Sequence, residues 1–199
     1  MIAEKLLACC VGAAGDAGVS PSALLSFASL PAGPVSVDAY GNPVATACAS
    51  TGSGINCAGQ SISINVADVA ISDGTDWLLE IWTADAFIPD VLAGPFRLVS
   101  GIAEYYGADG ALLATSSAIT PSTGANHIAI GVQAFRARLW HNGISIFYSP
   151  GLGVQGEVTH VDVGPFSGTL TDIRVSNTNV YGLVGNYPIS PHPSPLGIV

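Results

Sequence analysis

His127-Ile128-Ala129-Ile130-Gly131-Val132 and, shortly after it, Arg138-Leu139-Trp140-His141-Asn142-Gly143-Ile144-Ser145-Ile146-Phe147-Tyr148 decide how this chain folds. Ile128, Ile130 and Val132 recur at every second position, as do Phe135, Ala137 and Leu139. Ile144, Ile146 and Tyr148 alternate after a tight turn at His141-Asn142-Gly143. Period two marks strands with one buried face. Asn-Gly is a strong two-residue hairpin signal, because both turn positions need positive φ. The same alternation extends outward. Trp77, Leu79 and Ile81 share one strand face and Leu78, Glu80 and Trp82 the other, so at most one of the two tryptophans points into a core. Ile62, Ile64 and Val66 alternate earlier; Val158, Val161 and Val163, then Thr171, Ile173 and Val175, mark later strands. Many short strands between Gly, Asp and Asn turns, with no long amphipathic helix, predict an all-β, antiparallel β-sandwich.

The chain ends read differently. Residues 1–30 are rich in Ala, Leu, Cys and Gly and hold only Glu4, Lys5 and Asp16 as charges. They read as an N-terminal arm or docking segment with a short helix around Ala3–Val11. Beyond it lies either a helix starting at Ser20-Pro21 or a strand at Ala23–Leu30. Pro31-Ala32-Gly33-Pro34 separates this arm from a sandwich over residues 31–185. Residues 186–199 carry Pro188, Pro191, Pro193 and Pro195, lack the donors of a central strand, and read as an extended strap over the sandwich or an arm onto a neighbour. Leu6–Val11 is too short an apolar core for a signal peptide, and Glu4 spoils its positive end.

Composition bounds the function. The 199 residues include fourteen acidic and five basic ones, a net charge of −9. A folded monomer of this mass exposes about 8,700 Å², so charges are sparse: either Gly, Ser, Thr and Asn cover the surface or other subunits cover much of it, the reading carried forward here. Five basic residues argue against nucleic acid, whose phosphates need clustered Lys and Arg, and against an anionic membrane surface. No apolar run is long enough to insert in a membrane as a helix. Cys48 and Cys57 flank a Gly/Ser loop and either staple a hairpin or stand as two small buried apolar residues, the reading preferred here. Adjacent Cys9 and Cys10 do not suit bridging each other.

Four segments together resemble concanavalin A-like lectin/glucanase (laminin-G-like) domains. Asp76-Trp77-Leu78-Leu79-Glu80-Ile81-Trp82 is similar to one of their strands. His127-Ile128-Ala129-Ile130 with Arg138-Leu139-Trp140-His141-Asn142-Gly143 is similar to a hairpin, and Phe166-Ser167-Gly168-Thr169-Leu170-Thr171-Asp172-Ile173-Arg174-Val175 to the closing strand. Tyr181, Asn186-Tyr187-Pro188 and Pro195-Leu196 resemble the ending of bacteriophage and bacterial members. The resemblance covers about residues 60–196 and implies a jelly roll.

It also implies a function. The expectation is a non-enzymatic bacteriophage virion structural protein (decoration, fibre or tail-associated), located in the virion and assembling as a homo-oligomer with other virion proteins. The alternative is an adhesin binding cell-surface glycan. Glycosidases of this fold need two neighbouring carboxylates. Glu4, Glu80, Glu104 and Glu157 form no such pattern, and Glu80 sits on the family's non-catalytic strand motif. His127, His141, His160 and His192 show no metal-ligand spacing. Trp140, His141, Asn142, Tyr105, Tyr106 and Tyr148 are the glycan-binding candidates, since sugars stack on aromatic rings beside polar groups; for Trp140 a packed strand residue is the preferred reading. No cofactor is expected, calcium excepted: Asp73 and Asp76 flank a loop that could offer oxygens or be an ordinary Asp/Gly turn. Asp172 and Arg174, at i and i+2, share a face and could pair.

Overall fold

The computed structural model describes residues 23–26, 32–38, 41–66, 76–149, 157–177, 179, 181 and 185. The strands are β1 (Ala23–Ser26), β2 (Gly33–Pro34), β3 (Val44–Thr46), β4 (Ala49–Ser50), β5 (Gln60–Asn65), β6 (Trp77–Thr83), β7 (Val91–Ala93) and β8 (Phe96–Val99). They continue with β9 (Ile102–Tyr106), β10 (Leu112–Thr115), β11 (Asn126–Gln133), β12 (Arg136–His141), β13 (Ile144–Tyr148), β14 (His160–Phe166) and β15 (Leu170–Ser176). No helix occurs among the described residues. One sheet runs β1-β15-β6-β11-β12-β13 and the other β10-β9-β8-β7-β14-β5-β3, with β2 and β4 a small separate pair. The chain is an all-β antiparallel sandwich.

The period-two pattern sets the register. Ile81 lies opposite Ile128 on one side and Ile173 on the other, and Leu79 opposite Ile130 and Val175. A one-residue slip would turn this apolar row out of the core. The row meets Ile62, Ile64, Val161, Val163, Phe96 and Leu98 of the second sheet in one buried cluster. Each such side chain contributes about 1.5–3 kcal/mol on burial. Trp77 belongs to this core, and Trp82 lies on the opposite face of β6.

Several local expectations are met and others corrected. Asn142 and Gly143 both have positive φ, 49° and 78°. Gly168 is required by close approach, because a Cβ there would collide with the Phe87 ring. Phe135 does not begin a strand; it forms with Ala134 a second two-residue turn, at φ 62° and 47°. In β13 the core contact comes from Phe147, with Ile146 partly buried against the same cluster, while Ile144 and Tyr148 are exposed. Strands β7–β10 escaped the periodicity because each spans only three to five residues. Cys48 and Cys57 are both buried, but they form a disulfide rather than standing as separate apolar residues. Ala23–Ser26, within the segment read as an arm, pairs with β15 at the edge of the six-stranded sheet. The short-helix segment, Cys9, Cys10 and residues 186–199 lie outside the described residues.

Two stability predictions follow from these loops. Cys48 and Cys57 are nine positions apart, so replacing both with Ser should cost about 2–3 kcal/mol, lowering Tm by roughly 4–12 °C. An unchanged melting temperature would mean that the bridge contributes nothing. Ala134 and Phe135 hold a conformation that disfavours side chains with Cβ. Ala134→Asn with Phe135→Gly should therefore raise stability by about 1 kcal/mol, read from chemical denaturation.

Candidate functional site

The six glycan-binding candidates do not converge. Trp140 is fully buried on the outer face of the six-stranded sheet. Tyr181 packs edge-on against its ring at 5.9 Å, and its indole N–H donates to the Gly185 carbonyl at 3.0 Å. No ring face is left for a sugar, so Trp140 is a packing residue. Tyr105 is buried in the core. Asn142 braces the hairpin tip: its Oδ1 accepts from the His127 backbone N–H at 2.8 Å and its Nδ2 donates to Ser122 Oγ at 2.8 Å. His141 Nε2 lies 2.8 Å from Asn126 Oδ1. Burial, then the neighbouring His127, pushes the His141 pKa down. Tyr148 is exposed on β13, with the Arg138 guanidinium 4.5 Å from its ring centre. Tyr106 lies on the other sheet.

The calcium candidates separate too. Asp73 lies outside the described residues. Both Asp76 oxygens serve the strained turn: Oδ1 accepts from Ala134 N–H at 3.1 Å and Oδ2 from Gln133 Nε2 at 3.2 Å. Among the described residues no three His, Cys, Asp or Glu side chains gather as a metal site.

Sequence reasoning missed the charged centre of the protein. Glu80 has no exposed surface. Its Oε2 accepts from Arg174 Nε at 2.6 Å, with Arg174 Nη2 also paired to it. Its Oε1 accepts from Tyr181 Oη and faces His127 Nε2 at 3.1 Å. An ionised carboxylate only accepts, so His127 presents its Nε2–H. The His127 ring stacks on Trp82, centroids 4.6 Å apart, and Arg174 lies 5.5 Å above the same indole. Burial pushes the Glu80 pKa up; the His127 hydrogen bond, the Arg174 charge and the Tyr181 hydroxyl outweigh it and hold the carboxyl below its ordinary value. The register explains the meeting, since Arg174 is directly opposite Glu80. Arg174 thus pairs with Glu80 across the sheet, a partner that the i, i+2 spacing with Asp172 does not reveal. Leu78, Ala129, Trp140 and Tyr181 form a second apolar cluster beside it.

The outer face of the seven-stranded sheet is open by contrast. Ser63, Asp162, Leu92, Arg97 and Glu104 are successive cross-strand neighbours on it. Arg97 and Leu92 are exposed, and Asp162, Glu104 and Tyr106 half-buried. Arg97 lies 4.4 Å over the Tyr106 ring, and Tyr106 Oη donates to Glu104 Oε2 at 2.8 Å. That bond to a carboxylate raises the Tyr106 pKa, and burial adds to the rise. A shallow depression of about 270 Å³ is lined by Asp90, Val91, Leu92, Arg97, Val99 and Gly164. Gly164 of this lining has φ 117°, and a Cβ there would come within 2.9 Å of the Gln60 carbonyl oxygen, so the position requires glycine. Of the sequence candidates only Tyr106 belongs here. The signal that could have found Arg97 is that it is the one Lys or Arg on the strands of this sheet.

No protein-family model matches the chain, and no curated protein sequence matches it. Solved structures do. A Trypanosoma rangeli sialidase in complex with the inhibitor DANA has a TM-score of 0.57 at 15% identity, over 86% of this chain and 34% of that one. Domain 4 of AbnA, a GH43 extracellular arabinanase from Geobacillus stearothermophilus, in complex with arabinotriose, has a TM-score of 0.50 at 15% identity, over 80% and 93%. The receptor binding domain of botulinum neurotoxin type G has a TM-score of 0.54 at 10% identity, over 81% and 49%. The chain therefore spans about a third of the sialidase and half of the toxin domain. Identities this low establish a common fold.

Glu80→Gln should leave Arg174 buried without its counter-charge. The expected cost is about 3–5 kcal/mol, a fall in Tm of roughly 6–20 °C by circular dichroism. The lowered Glu80 pKa adds stability that is complete above the unfolded carboxyl's value, about 4.3, and is lost as pH falls through the lower folded value. The wild type should therefore weaken on that acid limb more steeply than the variant. Parallel acid curves would contradict the ionised pair.

Proposed function

We propose that the chain is a non-enzymatic carbohydrate-binding β-sandwich that recognises cell-surface glycan through the open face of its seven-stranded sheet. One observation carries this reading. Arg97 and Leu92 line a depression on the open outer face, with Asp162 directly opposite Leu92 and with Glu104 and the Tyr106 ring beside Arg97, whereas Trp140 on the other sheet is packed under Tyr181. Sugar sites combine apolar surface with a few fixed polar groups. The non-enzymatic part is supported by Glu80: a carboxylate with no exposed surface, held by Arg174, His127 and Tyr181, cannot reach a glycosidic bond. The fold shared with an arabinanase domain and a toxin receptor binding domain is compatible with binding. The finer assignment to the concanavalin A-like jelly rolls rests on the ordered motifs.

A second reading places this module in a bacteriophage virion as a structural subunit. The resemblance of the chain's ending to phage members motivates it, and the Cys48–Cys57 disulfide favours an oxidising location outside a cell. The shortage of charge suits a subunit whose surface is covered by copies of itself and other virion proteins.

Two measurements test these readings. Binding to immobilised cell-surface polysaccharides should saturate, with no release of reducing ends. Absence of any signal up to about 1 mM protein, the weak end of specific binding, would sink the glycan reading. Light scattering should show an oligomer that persists on dilution; a monodisperse monomer would count against the virion subunit.

A further inference from the structure

We propose that the open face selects an uncharged sugar, a ring with adjacent hydroxyls, over sugars that carry a carboxylate. This rests on the reading of the chain as a carbohydrate-binding module and specifies its ligand. Asp162, Leu92 and Arg97 stand side by side on β14, β7 and β8. Strands are about 4.8 Å apart, so Asp162 and Arg97 flank Leu92 across roughly 10 Å. A ring seated with its C–H face on Leu92 would reach both. Asp162 accepts hydrogen bonds only and Arg97 donates only. A hydroxyl does both, so neighbouring hydroxyls can satisfy each side in turn. Val99 and Ile102, exposed and paired across β8 and β9, continue the apolar floor.

The charge pattern excludes the acidic alternative. Asp90, Glu104 and Asp162 outnumber the single guanidinium on this face, and the chain carries −9 overall. Arg97 is already shared with the Tyr106 ring and lies directly opposite Glu104. A ligand carboxylate would meet net repulsion on approach. An uncharged polyol gains charge-assisted hydrogen bonds from both signs without that penalty.

The test is an array of neutral arabinose, galactose and mannose oligosaccharides printed beside sialylated and uronate-bearing ones, probed with the full chain. A neutral preference of at least tenfold is expected. Arg97→Ala should weaken neutral binding at least tenfold. Asp162→Asn, which keeps the shape and removes the charge, should narrow the neutral-to-acidic preference at least threefold. Tyr148→Ala, on the other sheet, should change nothing, and unaltered melting temperatures would show the variants folded. Preference for acidic sugars would overturn the selectivity while leaving the module standing. Neutral binding indifferent to Arg97 and Asp162 would overturn the site. Binding to neither class would overturn the carbohydrate reading itself.

Discussion

Burying the Glu80 carboxylate costs several kcal/mol, and the fold offsets this only by bringing three separate segments to it. His127 comes from β11, Arg174 from β15 and Tyr181 from the chain beyond β15. Each partner sits where it does because a strand register or a returning segment puts it there. The charge therefore acts as a geometric condition: misregister β15 by one residue and Arg174 turns to the other face, leaving Glu80 buried and uncompensated. An apolar residue in its place would tolerate such slippage, which is one reason for retaining ions in interiors.

The same cluster explains why the two broad faces of the sandwich differ. Tyr181 spans both parts of the outer face of the six-stranded sheet, its hydroxyl on Glu80 and its ring against Trp140. Gly131 permits this close cover, because a Cβ there would run into Asn179 and Trp140. With that face committed to packing, every residue of β6 is buried on both sides. The seven-stranded sheet instead keeps the ordinary alternation of an antiparallel sheet with one solvated face, and its polar residues point outward.

The fold was legible where strands are long and turns have chemical signatures. β6, β11, β12 and β15 show their faces in the spacing of Ile, Leu and Val, and Asn142-Gly143 announces its hairpin. The Ala134-Phe135 turn was not legible, since neither residue favours positive φ and the structure holds the turn through Asp76, distant in sequence. The disulfide was half legible: small residues and a Gly/Ser loop fit both pairing and simple burial. The candidate site was the least readable part. Aromatic residues pointed to Trp140 and Tyr105, which the sandwich consumes as packing, because a large ring serves a core as well as a sugar. Arg97, Glu104 and Asp162 become neighbours only through strand order, which no local pattern encodes.

The cover supplied by Asn179, Tyr181 and Gly185 has a consequence for how the two faces can change. Trp140 gives its indole N–H to Gly185 and its ring edge to Tyr181, whose hydroxyl rests on Glu80, and Gly131 leaves the space that Asn179 fills. A substitution on that side disturbs a buried charge and an apolar cluster together. One at exposed Leu92 or Arg97 disturbs neither. The sandwich can therefore diverge on one broad face while the other holds its shape.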